Sequence, residues 1–177
     1  MHTWSPMKIT IRPVRKGDGK GVIECFNEGT RSGLNKYTGS DVLGTQADIK
    51  AFDKEYSLHR RNLFGFVAVD ENHHKIVGAC LFYAKAEGRT RHRGEVGCGV
   101  HPDYTRRHIG SRLLKATIDM AARNGFERVE AEVAAGNTAS LKLAKHCGFK
   151  LEGTKKKGLL LDDGKYVNVY VFGKLIG

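Results

Sequence analysis

The residues best suited to chemistry lie between Glu95 and Leu114, in the run EVGCGVHPDYTRRHIGSRLL. Glu95 to Val100 reads as a strand that Pro102 ends, and His108 to Asn124 as an amphipathic helix that Gly125 stops. A basic loop carrying Arg106 and Arg107 joins them. The first turn of a helix has amide N–H groups without intrahelical acceptors, at the positive end of the dipole. Pyrophosphate oxygens bind there, and the two arginines add charge at the same mouth. A plain strand-to-helix turn, with Gly110 present only for packing, fits the same spacing. Gly97 and Gly99 flank Cys98 inside the strand, where glycine marks a bulge or a close backbone approach. A strand splayed at that point would leave the Val100 amide free to donate to a thioester carbonyl and stabilise the oxyanion of acyl transfer. A bulge that serves only sheet curvature is the competing reading.

A second unit, VAAGNTASLKLAKHCGFKLEG from Val133 to Gly153, reads as strand, helix from Thr138 to His146, and a new strand after Gly148. Asn137 stands where an N-cap would, and its side-chain amide could equally meet the amide of a pantetheine arm. His146 and Cys147 are adjacent, but consecutive helical residues do not face each other, so no nucleophile–base pair is expected. His73 and His74 fall in a hairpin turn, and no metal site is expected.

The elements that must position these residues follow from periodicity. Lys8 to Val14 alternates as a first strand. Asp18 is placed to cap a helix carrying Val22, Ile23 and Phe26, and Gly29 to Gly44 reads as a polar connection. Thr45 and Asp48 form a capping pair for a helix with Ile49, Phe52 and Tyr56 on one face. Leu63 to Val69 and Ile76 to Ala84 make a hairpin around DENHHK. Residues 126 to 134 alternate, with Val129, Ala131 and Val133 on one side, and two last strands flank Asp162 to Lys165. The order β-α-α-β-β-β-α-β-α-β-β predicts an α/β fold: a mixed, mostly antiparallel twisted sheet of about seven strands with helices on both faces. Residues 7–177 are expected to form one domain, with 1–6 an N-terminal extension.

Composition narrows the function. Hydrophobic residues at 40% and charged residues at 28% exclude wholesale disorder. The four cysteines form no Cys-x-x-Cys pair, which predicts reduced thiols and a cytoplasmic location. No apolar run approaches the roughly 18 residues of a membrane helix, so no membrane partner is expected. The net charge of +11 admits a phosphorylated ligand, an acidic substrate or nucleic acid. A nucleic-acid module would want clustered, aromatic-interleaved positive charge; dispersed lysines and a single Trp argue against it. A homodimer stays open.

Together the segments resemble the GNAT superfamily of N-acetyltransferases, from about residue 8 to residue 175. The family signature is Gln or Arg, two free positions, Gly, one free position, then Gly or Ala. Thr105, His108 and Gly110 occupy those three places here, and only Gly110 conforms. VHPDY before it, IGSRLL after it, NTASLKLAKHCGF downstream and the ending LDDGKYVNVYVFGKL carry the resemblance. The resemblance implies acetyl-CoA as co-substrate and no metal. Backbone groups of Cys98, Gly99 and Val100 would meet the pantetheine and acetyl carbonyl. Arg106, Arg107, His108, Ile109, Gly110 and Ser111 would wrap the pyrophosphate, and Asn137 would touch the arm. Glu95 matches the position of a general base acting through water, and Val100 that of the oxyanion donor. Pairing of Glu95 with Arg93 or a neighbouring strand is its bland alternative. His108 carries a Cβ, so ordinary dihedrals are expected for it. Ala144 replaces the tyrosine that protonates the leaving thiolate in many relatives; Tyr166 and Tyr170 are candidate substitutes, each also readable as a packed aromatic. The acceptor would be a primary amine (a protein N-terminus, an amino acid or another small amine), chosen by residues 27 to 60 and the last hairpin. A non-catalytic acyl-CoA-binding protein of the same fold is the alternative that Ala144 and the altered signature raise.

Overall fold

The computed structural model describes residues 6–31, 44–84 and 88–177. Most of the N-terminal extension and most of the Gly29–Gly44 connection therefore lie outside the described residues. The order is β1 (Ile9–Pro13), α1 (Gly19–Arg31), α2 (Gln46–Tyr56), β2 (Leu63–Asp70), β3 (Lys75–Tyr83), β4 (Arg93–Val100), a one-turn 3-10 helix (Pro102–Tyr104), α3 (Ile109–Arg123), β5 (Arg128–Ala134), α4 (Thr138–His146), β6 (Lys150–Leu160) and β7 (Tyr166–Leu175). This is the expected sequence of elements.

Two helix starts show how local chemistry sets the boundaries. Thr45 accepts from the Asp48 amide while Asp48 reaches back to the Thr45 amide, a full capping box for α2. Asp18 behaves differently from the expectation. Its carboxylate is held by Arg12, at 2.7 and 2.9 Å, and by the Arg15 amide at 2.7 Å. Asp53 of α2 accepts from the Gly19 amide instead, at 2.9 Å, tying the two helices together. The first helix also runs on to Arg31, past the glycine where a connection was expected to begin. Gly29 is buried inside it.

The strands form one seven-stranded sheet in the order β1-β2-β3-β4-β5-β7-β6. Every neighbouring pair is antiparallel except β4 with β5. On one face α3 and α4 bury Ile109, Leu113 and Ala144 against Val77, Phe82, Val129 and Phe172. On the other, Val22 and Phe26 of α1 and Phe52 and Tyr56 of α2 pack on Val67, Val69 and Ala79. Burial of such side chains contributes about 1.5–3 kcal/mol each and dominates the stability. No helix among the described residues is long and apolar enough to cross a membrane.

The central irregularity is at β4. Its pairing with β3 is unbroken from Tyr83↔Glu95 to Gly78↔Val100. Its pairing with β5 stops after three residues, at Glu95↔Glu130. The bulge expected at Gly97 and Gly99 is therefore absent, and the strand is opened by divergence from β5. Packing explains Gly99: a Cβ there would lie 2.6 Å from the Phe26 ring.

Candidate active site

The open edge of β4 has a definite chemistry. The His101 amide donates to the Val77 carbonyl of β3 at 2.8 Å. Backbone groups along a strand alternate between its two neighbours. Val100 and Cys98 therefore present their amides and carbonyls away from β3, toward the side that β5 has left. An edge of unmet donors and acceptors is the geometry that binds an extended amide-bearing chain.

That edge faces a cleft of about 950 Å³. One wall is β4 from Glu95 to Val100, and the opposite wall is Ala131 to Ala134 of β5 with Asn137 and α4. The start of α3 closes one end, through Arg106, His108, Ile109, Gly110 and Ser111. No side chain caps α3. Its first-turn amides and dipole are thus aimed at whatever the cleft receives. The Cys98 thiol reaches the Gly110 carbonyl at 3.9 Å, linking the open strand to this helix.

His108 and Arg106 hold left-handed backbone, with φ of 57° and 60°. The ordinary dihedrals expected for His108 are not what the loop adopts. The loop reverses sharply to bring the amides of α3 back over the end of β4, a path that favours glycine. A glycine at the matching place in the signature is explained by this turn.

Of the proposed cofactor contacts, Cys98, Gly99, Val100, Arg106, His108, Ile109, Gly110, Ser111 and Asn137 all line the cleft. Arg107 is exposed and stands outside the lining. Asn137 is the N-cap of α4, accepting from the Ser140 amide at 3.1 Å. Tyr166 and Tyr170 are not brought to the cleft. The first is 57% exposed, with the Lys157 ammonium over its ring, and the second packs against the core. Ala144 is buried and lines the cleft.

Glu95 lies at the other end of the open strand, on the exposed face. The pairing with Arg93 raised by proximity does not occur, because Arg93 binds Glu130 at 2.7 and 2.9 Å. Among the described residues no group is bonded to the Glu95 carboxylate. Glu132, across the gap, is engaged by Lys155. Lys155 of β6 is also the charged neighbour of Glu95, and an exposed carboxylate at the mouth of a cleft is suited to take a proton.

Thiol chemistry is disfavoured. Burial pushes Cys25 up to about 12. A hydrogen bond with Cys80, followed by burial, raises Cys98, and burial raises Cys147. None supplies a thiolate nucleophile near neutral pH. Among the described residues no group of three or more His, Cys, Asp or Glu is placed to hold a metal ion.

Several lining residues gave no signal in the sequence. Phe26, Leu81 and Tyr83 come from separate elements and read only as core aromatics and aliphatics, while Tyr56 falls inside the 27–60 stretch expected to choose the acceptor. Lys142 and His146 stand one helical turn apart on α4, and that i,i+4 spacing was the one available clue. Tyr104 lines the cleft while its hydroxyl donates to Asp70. Asp70 is fully buried and also bonded by His73 and the Asn72 amide.

The model of the acetyltransferase (GNAT) family matches residues 34–149. The L-amino acid N-acetyltransferase AaaT of Escherichia coli is 29% identical over 101 residues, which are 56% of this chain and 62% of that protein. Among solved structures, an acetyltransferase of the GNAT family from Streptococcus pneumoniae superposes with a TM-score of 0.84 at 26% identity, covering 96% of this chain and 100% of the other. The yncA protein of Salmonella typhimurium, solved with its cofactor acetyl-CoA, gives 0.81 at 19% identity, covering 96% and 94%.

Proposed function

The chain belongs to the acetyltransferase (GNAT) family, and on that footing we propose that it transfers an acetyl group from acetyl-CoA to a primary amine, with small amino acids the leading acceptors. The observation that carries this reading is the parting of β4 from β5 beside the uncapped start of α3. The site fits coenzyme A on its own terms. A diphosphate is suited to the α3 amides and Arg106, and a pantetheine arm to the open backbone edge at Cys98 and Val100. When bound, the thioester supplies the activated acetyl group.

The chain's own residues do the rest. The Val100 N–H is oriented to meet the acetyl carbonyl oxygen and to stabilise negative charge developing there. Glu95 takes the proton of the incoming ammonium through water, because only the neutral amine attacks. The departing sulfur has an ordinary thiol pKa of about 8.5, so protonation by water or the substrate ammonium is sufficient without a tyrosine at Ala144. An amino-acid acceptor is supported by the relative named as an L-amino acid N-acetyltransferase. A reducing, cytoplasmic setting is supported by the four free thiols.

The test is calorimetric titration with acetyl-CoA followed by thiol-release assays across free amino acids, peptide N-termini and polyamines. Binding with turnover of at least one amine is expected. Binding without turnover of any amine would instead favour an acyl-CoA-binding role.

A further inference from the structure

Three glycines lie in adjacent places on the sheet face that carries α1 and α2, and two of them are explained by packing. At Gly65 of β2 a Cβ would lie 2.6 Å from a Leu81 methyl, and at Gly99 it would lie 2.6 Å from the Phe26 ring. Gly97 is different. Among the described residues nothing lies within 4 Å of a Cβ built there. Its backbone does not take a positive φ either. Glycine inside a strand costs roughly 0.5–1 kcal/mol relative to alanine, and here neither packing nor conformation requires it. Gly97 is exposed and lines the cleft, so among the described residues the space beside it is open to a ligand.

The surroundings of that space define what it accepts. Leu81 is the cross-strand partner of Gly97 and Tyr83 that of Glu95. With Phe26 and Tyr56 they line the cleft on this side. The basic lining residues Arg106 and Lys142 belong to the loop before α3 and to α4, on the cofactor side. Glu95 is two residues along the same strand face, about 7 Å from Gly97 by strand geometry. An amine drawn to Glu95 therefore carries its neighbouring substituent over Gly97, against an apolar wall. A charged substituent there would lose hydration against Leu81, Tyr83, Phe26 and Tyr56, and an anion would also be repelled by Glu95.

Resting on the acetyl-transfer reading above, we infer that the acceptor is a primary amine with an apolar substituent beside the nitrogen, and that Gly97 sets the size of that substituent. Leucine, methionine and phenylalanine are then better acceptors than glutamate or lysine, by tenfold or more in kcat/KM.

Gly97→Ala and Gly97→Val test this, with thermal midpoint and acetyl-CoA affinity measured beside acetylation of leucine and glycine. Both variants are expected to keep the wild-type affinity, with a thermal midpoint at or somewhat above the wild-type value. The leucine-to-glycine ratio of kcat/KM falls at least tenfold in Gly97→Val, mostly through KM, and by less in Gly97→Ala. A preference for glutamate or lysine, or an equal loss for glycine and leucine, overturns the inference alone. Absence of thiol release with every amine overturns the acetyl-transfer reading beneath it. If Gly97→Val folds poorly, the graded effect in Gly97→Ala decides.

Discussion

The Tyr104 hydroxyl donates to the buried Asp70 carboxylate at 2.8 Å, fastening the 3-10 turn before the α3 loop to the end of β2. The loop that follows carries the two left-handed residues and the uncapped helix start. Tyr104→Phe removes one donor from a buried carboxylate that keeps two others, and a loss of about 1–3 kcal/mol in stability is expected. Acetyl-CoA affinity is expected to fall with it, since the loop loses its anchor. Chemical denaturation and calorimetry measure the two effects separately.

Glu95→Gln is expected to lower kcat by about 10²–10⁴ while acetyl-CoA affinity stays at the wild-type value. An α-amine loses its own proton near pH 8, so part of the rate returns as pH rises past that point. A variant as active as wild type across the pH range would remove Glu95 from the mechanism.

The left-handed backbone at His108 predicts a split between two substitutions. His108→Gly relieves the steric cost of φ 57° and adds chain entropy to the unfolded state, so its stability is expected within about 1 kcal/mol of wild type. His108→Val places a β-branched residue in that region and is expected to cost about 1–3 kcal/mol. Thermal unfolding of the pair checks the backbone assignment without reference to activity.

Glu130 sits between Arg93 and Arg128, whose guanidiniums both bind it. Burial tends to raise this carboxyl, and the two arginines outweigh it and hold the group below its usual 4.5. The stabilisation is complete above that ordinary value and is lost as pH falls from it through the lower folded value. Glu130→Gln leaves two guanidiniums without their shared carboxylate charge and is expected to lower stability at neutral pH. Below about pH 4.5 the difference from wild type is expected to shrink. Urea titrations at neutral pH and at about pH 3 decide it.

Raised thiols imply that acetyl transfer proceeds without an acyl-cysteine. Initial-rate kinetics are expected to show a ternary complex, and intact mass after mixing with acetyl-CoA alone is expected to show no 42-dalton-scale adduct, roughly one acetyl group. An adduct mapped to Cys98 or Cys147 would overturn direct attack.

The sequence made the elements legible because their signals are local. The Thr45 and Asp48 pair, the stop at Gly125 and the Thr138–His146 helix each depend on neighbours within a few residues. The end of the cleft at α3 was legible for the same reason, since a strand, a loop and a helix start adjoin in the chain. The wall of Phe26, Tyr56, Leu81 and Tyr83 was not, because these residues meet only through tertiary packing. Gly97 and Gly99 look alike in the sequence, yet one clears room for Phe26 and the other opens onto the cleft. The bulge expected between them failed because glycine reports a need for room and does not say whose. Asp18 misled for a related reason: a residue placed to cap a helix was claimed by Arg12, and a distant Asp53 took its place.

Only three rungs join β4 to β5, at the narrow end of the gap. The sheet is thus a pair of wings hinged on Arg93–Glu95, with one wing from β1 to β4 and the other from β5, β7 and β6. Amide-hydrogen exchange should find that hinge the most readily breached line of the sheet. A molecule lying along the gap and bonding both sides would act as the missing strand, so occupancy of the gap and mechanical cohesion of the wings would rise and fall together.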